Sequence, residues 1–196
     1  MTVKDNEILW AKVKPDATIP TKRDEDAGYD IYPCFEEDCI IIPPHETKLI
    51  STGIASAFSK DYVAVLKERG STGTKGIAQR SGIIDSGFRN EWLVPITNTS
   101  ERGLIITDLS IKELISKYGK TSDFGWTYID DCIYLDCGGD KDFGSDDLPI
   151  IYPYSKAICQ ALILPIPKIN TREVSYEELQ TVSSERGLGM LGSSNK

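Results

Sequence analysis

Short apolar runs separated by turn residues dominate the hydrophobic pattern of this chain. Ile8-Leu-Trp-Ala-Lys-Val-Lys14, Cys39-Ile-Ile-Ile42 and Lys48-Leu-Ile-Ser-Thr52 have strand length and strand composition. So do Tyr62-Val-Ala-Val-Leu-Lys67, Trp92-Leu-Val-Pro-Ile-Thr97 and Ile158-Cys-Gln-Ala-Leu-Ile-Leu164. Ten prolines and sixteen glycines punctuate the sequence. Short strands at near-regular spacing predict an all-β sandwich or jelly roll.

One stretch breaks the pattern. In Ser110-Ile-Lys-Glu-Leu-Ile-Ser-Lys-Tyr118, residues Ile111, Leu114, Ile115 and Tyr118 fall on one helical face. Ser110 and Glu113 have capping-box spacing, Leu109 and Leu114 fit a hydrophobic staple, and Gly119 stands where a helix-ending glycine belongs. Beyond it, Thr121 to Ile150 holds eight aspartates and a single lysine, so most of the net charge of −8 is concentrated here. The aspartate spacing does not match an EF-hand loop and no glutamate closes it, so a solvated insertion is expected rather than a calcium site.

Composition narrows the chemistry. An acidic chain lacks the basic face that nucleic acid or an anionic membrane needs, although a few placed cations suffice for a small phosphate ligand. No apolar leader opens the chain, and no apolar stretch nears the ~20 residues of a spanning helix. The single histidine, His45, sits in a Pro-rich turn, where a solvated residue is expected rather than a catalytic one. The five cysteines are odd in number, so no closed disulfide framework is expected. Cys34/Cys39 and Cys132/Cys137 share a spacing at the outer limit for zinc, and reduced thiols are the simpler reading. A cytoplasmic protein of 196 residues, one domain with an elaboration, is the expectation.

Four glycine-punctuated clusters carry the candidate chemistry: Asp26-Ala-Gly-Tyr-Asp30-Ile31, Arg69-Gly-Ser-Thr-Gly-Thr-Lys75-Gly-Ile77, Gly82-Ile-Ile-Asp85-Ser-Gly-Phe88-Arg-Asn-Glu91 and Arg186-Gly-Leu-Gly-Met-Leu-Gly-Ser-Ser194. Arginine with Gly, Ser and Thr supplies a forked cation, hydroxyls and open backbone N–H groups, as phosphate binding requires. The tail is not a P-loop, since it lacks the Gly-Lys-Ser/Thr ending. Asp85 ends an apolar run at a turn. It either caps that turn or, over a cavity, orients and deprotonates water.

In order and spacing these clusters, with Lys156-Ala-Ile-Cys-Gln160-Ala-Leu-Ile163, resemble the five motifs of the trimeric dUTPases, within the dUTPase and dCTP deaminase superfamily. The resemblance covers about residues 8–100 and 152–196. It implies a jelly roll assembled as a homotrimer, with active sites shared between subunits and closed by the C-terminal arm of another chain. It implies hydrolysis of dUTP to dUMP and pyrophosphate with Mg2+, for nucleotide-pool sanitation and dUMP supply. Asp85 would orient the water that attacks the α-phosphorus. Arg69, Ser71, Gln160 and Arg186 would contact phosphates, and Asp30 would support magnesium through water. Gln79, Ile83 and Ile84 would line the hairpin that reads uracil, with Phe88 stacked on the deoxyribose. Gly70 replaces the usual motif-two serine, so that Ser71 or a backbone N–H makes that contact. Leu191 replaces the usual phenylalanine over the base, and Gly192 and Ser193 belong to the same substrate-binding arm.

The resemblance divides the chain into core residues 1–101 with motifs one to three, an insertion at 102–151, core residues 152–180 with motif four, and a flexible arm at 181–196. The insertion resembles the helix-containing insert of some phage dUTPases. Spare loop length is the simpler reading of it, and a protein partner the alternative. Two other activities are compatible with this fold. A dCTP deaminase places a catalytic glutamate three residues before the asparagine that matches Asn98, and Pro95 stands there instead. A non-catalytic nucleotide or partner binder is opposed by the intact Asp85.

Overall fold

The structure, a computed structural model, describes residues 2–118, 126–129, 132–135, 149–185 and 187. The chain divides into a body, Met1–Ile166, and a C-terminal segment, Pro167–Lys196. In chain order the body runs β1 (Ile8–Lys12), β2 (Gly28–Ile31), β3 (Ile40–Ile42), β4 (Thr47–Ser51), β5 (Ile54–Phe58) and β6 (Tyr62–Lys67). It continues through a single helical turn α1 (Gly70–Gly73), β7 (Ile77–Gln79), β8 (Ile83–Asp85), β9 (Leu93–Asn98) and β10 (Leu104–Ile106). Then come α2 (Ile111–Tyr118), β11 (Trp126–Ile129), β12 (Cys132–Leu135), β13 (Ile150–Tyr152) and β14 (Cys159–Pro165). Among its described residues the C-terminal segment holds one short helix, α3 (Tyr176–Gln180), capped by Ser175.

The strands form small sheets in the orders β2-β14-β6-β8, β4-β9-β7, β13-β10-β3 and β1-β5, with β11-β12 a separate hairpin. This is the all-β jelly roll that the strand pattern predicts. Alternation explains the core: on β9, Val94, Ile96 and Asn98 are buried while Leu93, Pro95 and Thr97 are not. Val94 and Ile96 join Ile31, Ile42, Ile50, Leu66 and Ile158 in one cluster. Buried Asn98 is fully committed. Its amide donates to the Ile42 and Arg102 carbonyls, and its Oδ1 accepts from Ser100. No helix among the described residues is long and apolar enough to cross a membrane.

The segment 102–151 is less separate than the sequence pattern suggested. β10 lies between β3, which it pairs antiparallel, and β13, which it pairs parallel. Leu104, Ile105 and Ile106 are all buried, because this strand is covered on both faces. Leu104–Ile106 and Ile150–Tyr152, both within the segment expected as an insertion, are therefore strands of the same sheet as β3.

Its helix has a physical job on that sheet. Ile105 packs with Leu114, Leu109, Ile41, Ile151 and Cys39, so α2 covers a sheet face that would otherwise expose isoleucines. The capping box forms as the spacing predicts: the Ser110 N–H donates to Glu113 Oε2 at 2.7 Å, and the Glu113 N–H donates to Ser110 Oγ at 3.3 Å. Lys117 pairs with Asp38 in the loop before β3. Gly119 and the acidic stretch, apart from the backbone of β11 and β12, lie outside the described residues. Leu114→Ala should cost about 2–3 kcal/mol of helix docking. Hydrogen exchange should then show lost protection in α2 with the other strands unchanged. Unchanged α2 protection would mean that the cap and the Lys117–Asp38 pair hold the helix instead.

Candidate active site

Three strands bring motifs one, two and four together. Register pairs Asp30 of β2 with Gln160 of β14, and Gln160 with Lys67 at the end of β6. β6 then leads directly into Arg69, which precedes α1. Arg69 grips Asp30 through Nε at 3.0 Å and Nη2 at 3.3 Å, while Nη1 donates to the Ala157 carbonyl at 3.3 Å. That carbonyl also accepts the hydroxyl of buried Tyr152 at 2.6 Å. The Arg69 main chain is held separately, its N–H donating to the buried Thr72 hydroxyl at 3.0 Å. Gln160 donates from Nε2 to the Glu68 carbonyl at 3.0 Å. Gly28 packs closely beneath them: a Cβ there would meet Gln160 at 3.1 Å and Leu162 at 3.3 Å, so these side chains would have to shift by a few tenths of an ångström.

Gly28, Asp30, Arg69 and Gln160 line an open cavity of about 670 Å³ with Gly70, Ser71, Thr21, Lys22, Arg23, Asp26 and Ala27. Asp30 and Arg69 are each about one-third exposed, so water and ligands reach them. Next to Gln160, the Cys159 thiol is buried and its pKa is driven far up, by burial first and then by Asp30 and Glu68. It stays protonated and is no nucleophile. The cavity thus offers a forked cation, a carboxylate, a carboxamide and a Gly-Ser turn, a set suited to a phosphate chain with a hydrated metal.

Motif three lies elsewhere in the same chain. β8 forms the opposite edge of the sheet, with Asp85 opposite Val63 of β6. Three strand spacings of ~4.8 Å and four residues of ~3.4 Å along β6 separate Asp30 from Asp85 by about 20 Å. Asp85 is exposed, and its carbonyl accepts the Phe88 N–H at 3.0 Å in a tight turn. Ile83 is 61% exposed and Phe88 39%, whereas Ile84 turns into the core. His45, exposed in its turn at φ 62°, lies 3.1 Å from Glu101.

The connection between β7 and β8 is tightly built. The Leu66 N–H donates to the Gly82 carbonyl at 2.6 Å. A Cβ on Gly82 would come within 2.6 Å of the Leu66 carbonyl oxygen, so only glycine fits. Pro95 lacks the N–H that β9 would return to Arg80. The Arg80 N–H donates to the Pro95 carbonyl at 3.0 Å, while the buried Gln79 carboxamide donates to the Arg80 carbonyl. Gln79 therefore holds the connection in shape from within.

Arg186, Leu191, Gly192 and Ser193 lie outside the described residues. Among the described residues no group of three or more His, Cys, Asp or Glu gathers as a metal site. Cys34 is buried and Cys39 half-buried, and Cys137 is not described. Reading by motif missed Lys22 and Arg23 on the cavity wall. Their signal was present in Thr21-Lys-Arg-Asp24, a basic pair directly before the first motif in an acidic chain.

A family model described as dUTPase matches residues 15–110. The chain is 32% identical over 127 residues to the deoxyuridine 5'-triphosphate nucleotidohydrolase of Orientia tsutsugamushi (strain Ikeda), covering 62% of this chain and 82% of that enzyme. Its fold is similar to that of the Staphylococcus bacteriophage 80alpha dUTPase with dUPNHPP, at 21% identity and TM-score 0.65 over 97% of this chain and 99% of that one. A mutant dUTPase of S. aureus phage phi11, whose structure reveals the coordination of a structural Mg(II) ion, is similar at 19% identity and TM-score 0.58 over 86% and 97% of the two chains. Relatedness at this identity and length, joined to the ordered motifs, makes the chain a member of the dUTPase family, and it hydrolyses dUTP.

Proposed function

We propose that the protein acts as a homotrimer in which each site combines the Arg69 cavity of one subunit with the Asp85 turn of another. The observation that carries this is the register, which puts Asp30 and Asp85 on opposite edge strands of one four-stranded sheet, about 20 Å apart at ideal strand spacing. A single substrate phosphorus cannot meet both in a monomer. Asp85, exposed at a sheet edge, then accepts a proton from the water that attacks the α-phosphorus. Arg69, Ser71 or the Gly70 backbone, and Gln160 hold the triphosphate in line for that attack. The Gln79–Ile84 connection presents backbone groups to uracil, with Phe88 against the sugar. Arg186, Leu191, Gly192 and Ser193 form the arm that closes the site.

Magnesium fits this donor set. Both Asp30 oxygens are engaged by Arg69, so Asp30 suits a hydrogen bond to a metal-bound water better than direct ligation. Mg2+ commonly keeps several waters and takes its remaining oxygens from phosphates. When bound, the ion would neutralise charge on the phosphates. The similar phage enzyme with a structural Mg(II) ion supports the choice of metal. The enzyme serves nucleotide-pool sanitation and dUMP supply in a cytoplasmic setting, which suits the unpaired Cys34, Cys39 and Cys159. The chain between β10 and β13 is the proposed partner-binding element, its helix docked by one face and exposing Lys112, Glu113, Ser116 and Lys117 on the other.

Subunit mixing tests the shared site. Asp85→Asn and Arg69→Ala proteins, each inactive alone, should regain activity when refolded together. Random assembly in equal amounts pairs an intact cavity with an intact Asp85 in about one quarter of sites. A mixture that exchanges subunits, shown by mass spectrometry, yet stays inactive would place both motifs in the site of one chain.

A further inference from the structure

The cavity that holds Asp30, Arg69 and Gln160 continues onto Thr21, Lys22 and Arg23, which precede the first motif and lie outside all five. The Asp30 N–H donates to the Thr21 carbonyl at 3.0 Å, which folds the loop back beside the strand. Lys22 Nζ donates to the carbonyls of Arg23 at 3.2 Å and Asp26 at 3.0 Å. Arg23 forms a two-pronged pair with Asp26, both hydrogen bonds being 2.9 Å. Thr21, Lys22, Arg23 and Asp26 all line the cavity.

Charge distinguishes this wall. Lys22, Arg23 and Arg69 face Asp26 and Asp30, so the cavity is cationic in a protein of net charge −8. Arg69 and Asp30 already satisfy each other at the inner end. The charge in excess resides on the loop. The Arg23 side chain is 88% exposed, and an ion pair so exposed contributes little. Its guanidinium can therefore leave Asp26 for a phosphate, whose oxygens suit the same fork. Lys22 adds a compact point charge beside it.

We propose that Lys22 and Arg23 are substrate-binding residues that hold the terminal phosphates of dUTP, the pair that departs as pyrophosphate. This rests on the reading of the cavity as the triphosphate site. Asp26 acts as a placeholder: it keeps Arg23 ordered while the site is empty and yields it when the triphosphate enters. The β- and γ-phosphates carry most of the negative charge of the substrate, and dUMP lacks both. The loop therefore discriminates the triphosphate from the monophosphate product and assists product exchange.

The test compares wild type, Lys22→Ala, Arg23→Ala, the double variant and Asp26→Asn. Steady-state kinetics are read together with calorimetric binding of a non-hydrolysable imido analogue of dUTP and of dUMP. Each alanine variant should raise KM for dUTP and Kd for the analogue about ten-fold, as expected for a lost charge-assisted hydrogen bond. The values of kcat and of Kd for dUMP should stay within about two-fold. Asp26→Asn removes the competing charge at nearly unchanged volume and should tighten the analogue a few-fold. Unchanged analogue binding in the double variant would overturn the proposal. So would an equal loss for analogue and dUMP, which would mean that the loop only shapes the cavity. Wild-type protein that hydrolyses dUTP while Arg69→Ala keeps full affinity for the analogue would instead overturn the reading of the cavity beneath it.

Discussion

Asp85→Asn will give a folded protein that binds dUTP and turns it over ~10²–10⁴-fold more slowly, the usual cost of losing a general base. The structure makes this a clean substitution. Asp85 ends β8 with an exposed side chain, and the turn that follows depends on its main-chain carbonyl, which accepts the Phe88 N–H at 3.0 Å. Asparagine keeps that carbonyl and the side-chain volume, and loses only the capacity to accept a proton. β8 remains anchored by pairing to β6 and by Ile84 in the core. Single-turnover hydrolysis and binding of the imido analogue, measured on the same preparation, separate chemistry from affinity. Turnover within a few-fold of wild type would place the base elsewhere.

Arg69→Ala is expected to lower kcat/KM about 10²–10³-fold, the scale for removing a preorganised charge-stabilising donor. Its guanidinium makes three hydrogen bonds, two to Asp30 and one to the Ala157 carbonyl, so it is fixed before substrate arrives. Stability should change little. Asp30 is about one-third exposed and takes up water, and the turn of α1 is held by Arg69 main-chain atoms and Thr72, which alanine preserves. Lysine should recover part of the binding but not the rate, because a point charge cannot hold Asp30 and Ala157 together. A melting temperature near wild type beside lost activity would confirm a role at the site. Full activity in Arg69→Ala would remove this cavity from the mechanism.

Local signals were legible where every interacting group lies within one short stretch. The helix at Ile111–Tyr118, its capping box and its apolar face are written within nine residues, and the structure shows the cap. Strands rich in isoleucine and valine were legible for the same reason. β5, Ile-Ala-Ser-Ala-Phe, was not, because small residues and a buried serine hide a strand that pairs fully with β1. β10 is not legible either, because three apolar residues in isolation do not announce that β3 and β13 enclose them.

The order and spacing of the motifs marked the resemblance to the family from sequence alone, while the chemistry of Arg with Gly, Ser and Thr marked only sites suited to phosphate. The jelly-roll class followed from strand periodicity, a property each segment carries by itself. Tertiary structure alone decided what depends on distances between remote segments. Gly82 has to be glycine because the Leu66 carbonyl lies 2.6 Å from where its Cβ would be. Gln79 serves Arg80 because Pro95, on another strand, has no N–H to offer. Register across β2, β14, β6 and β8 sets Asp85 on the far edge from Asp30, and a loop turned back at Thr21 brings Lys22 and Arg23 beside Arg69. Sheet pairing fixes such placements through backbone hydrogen bonds between segments that sequence spacing leaves unrelated.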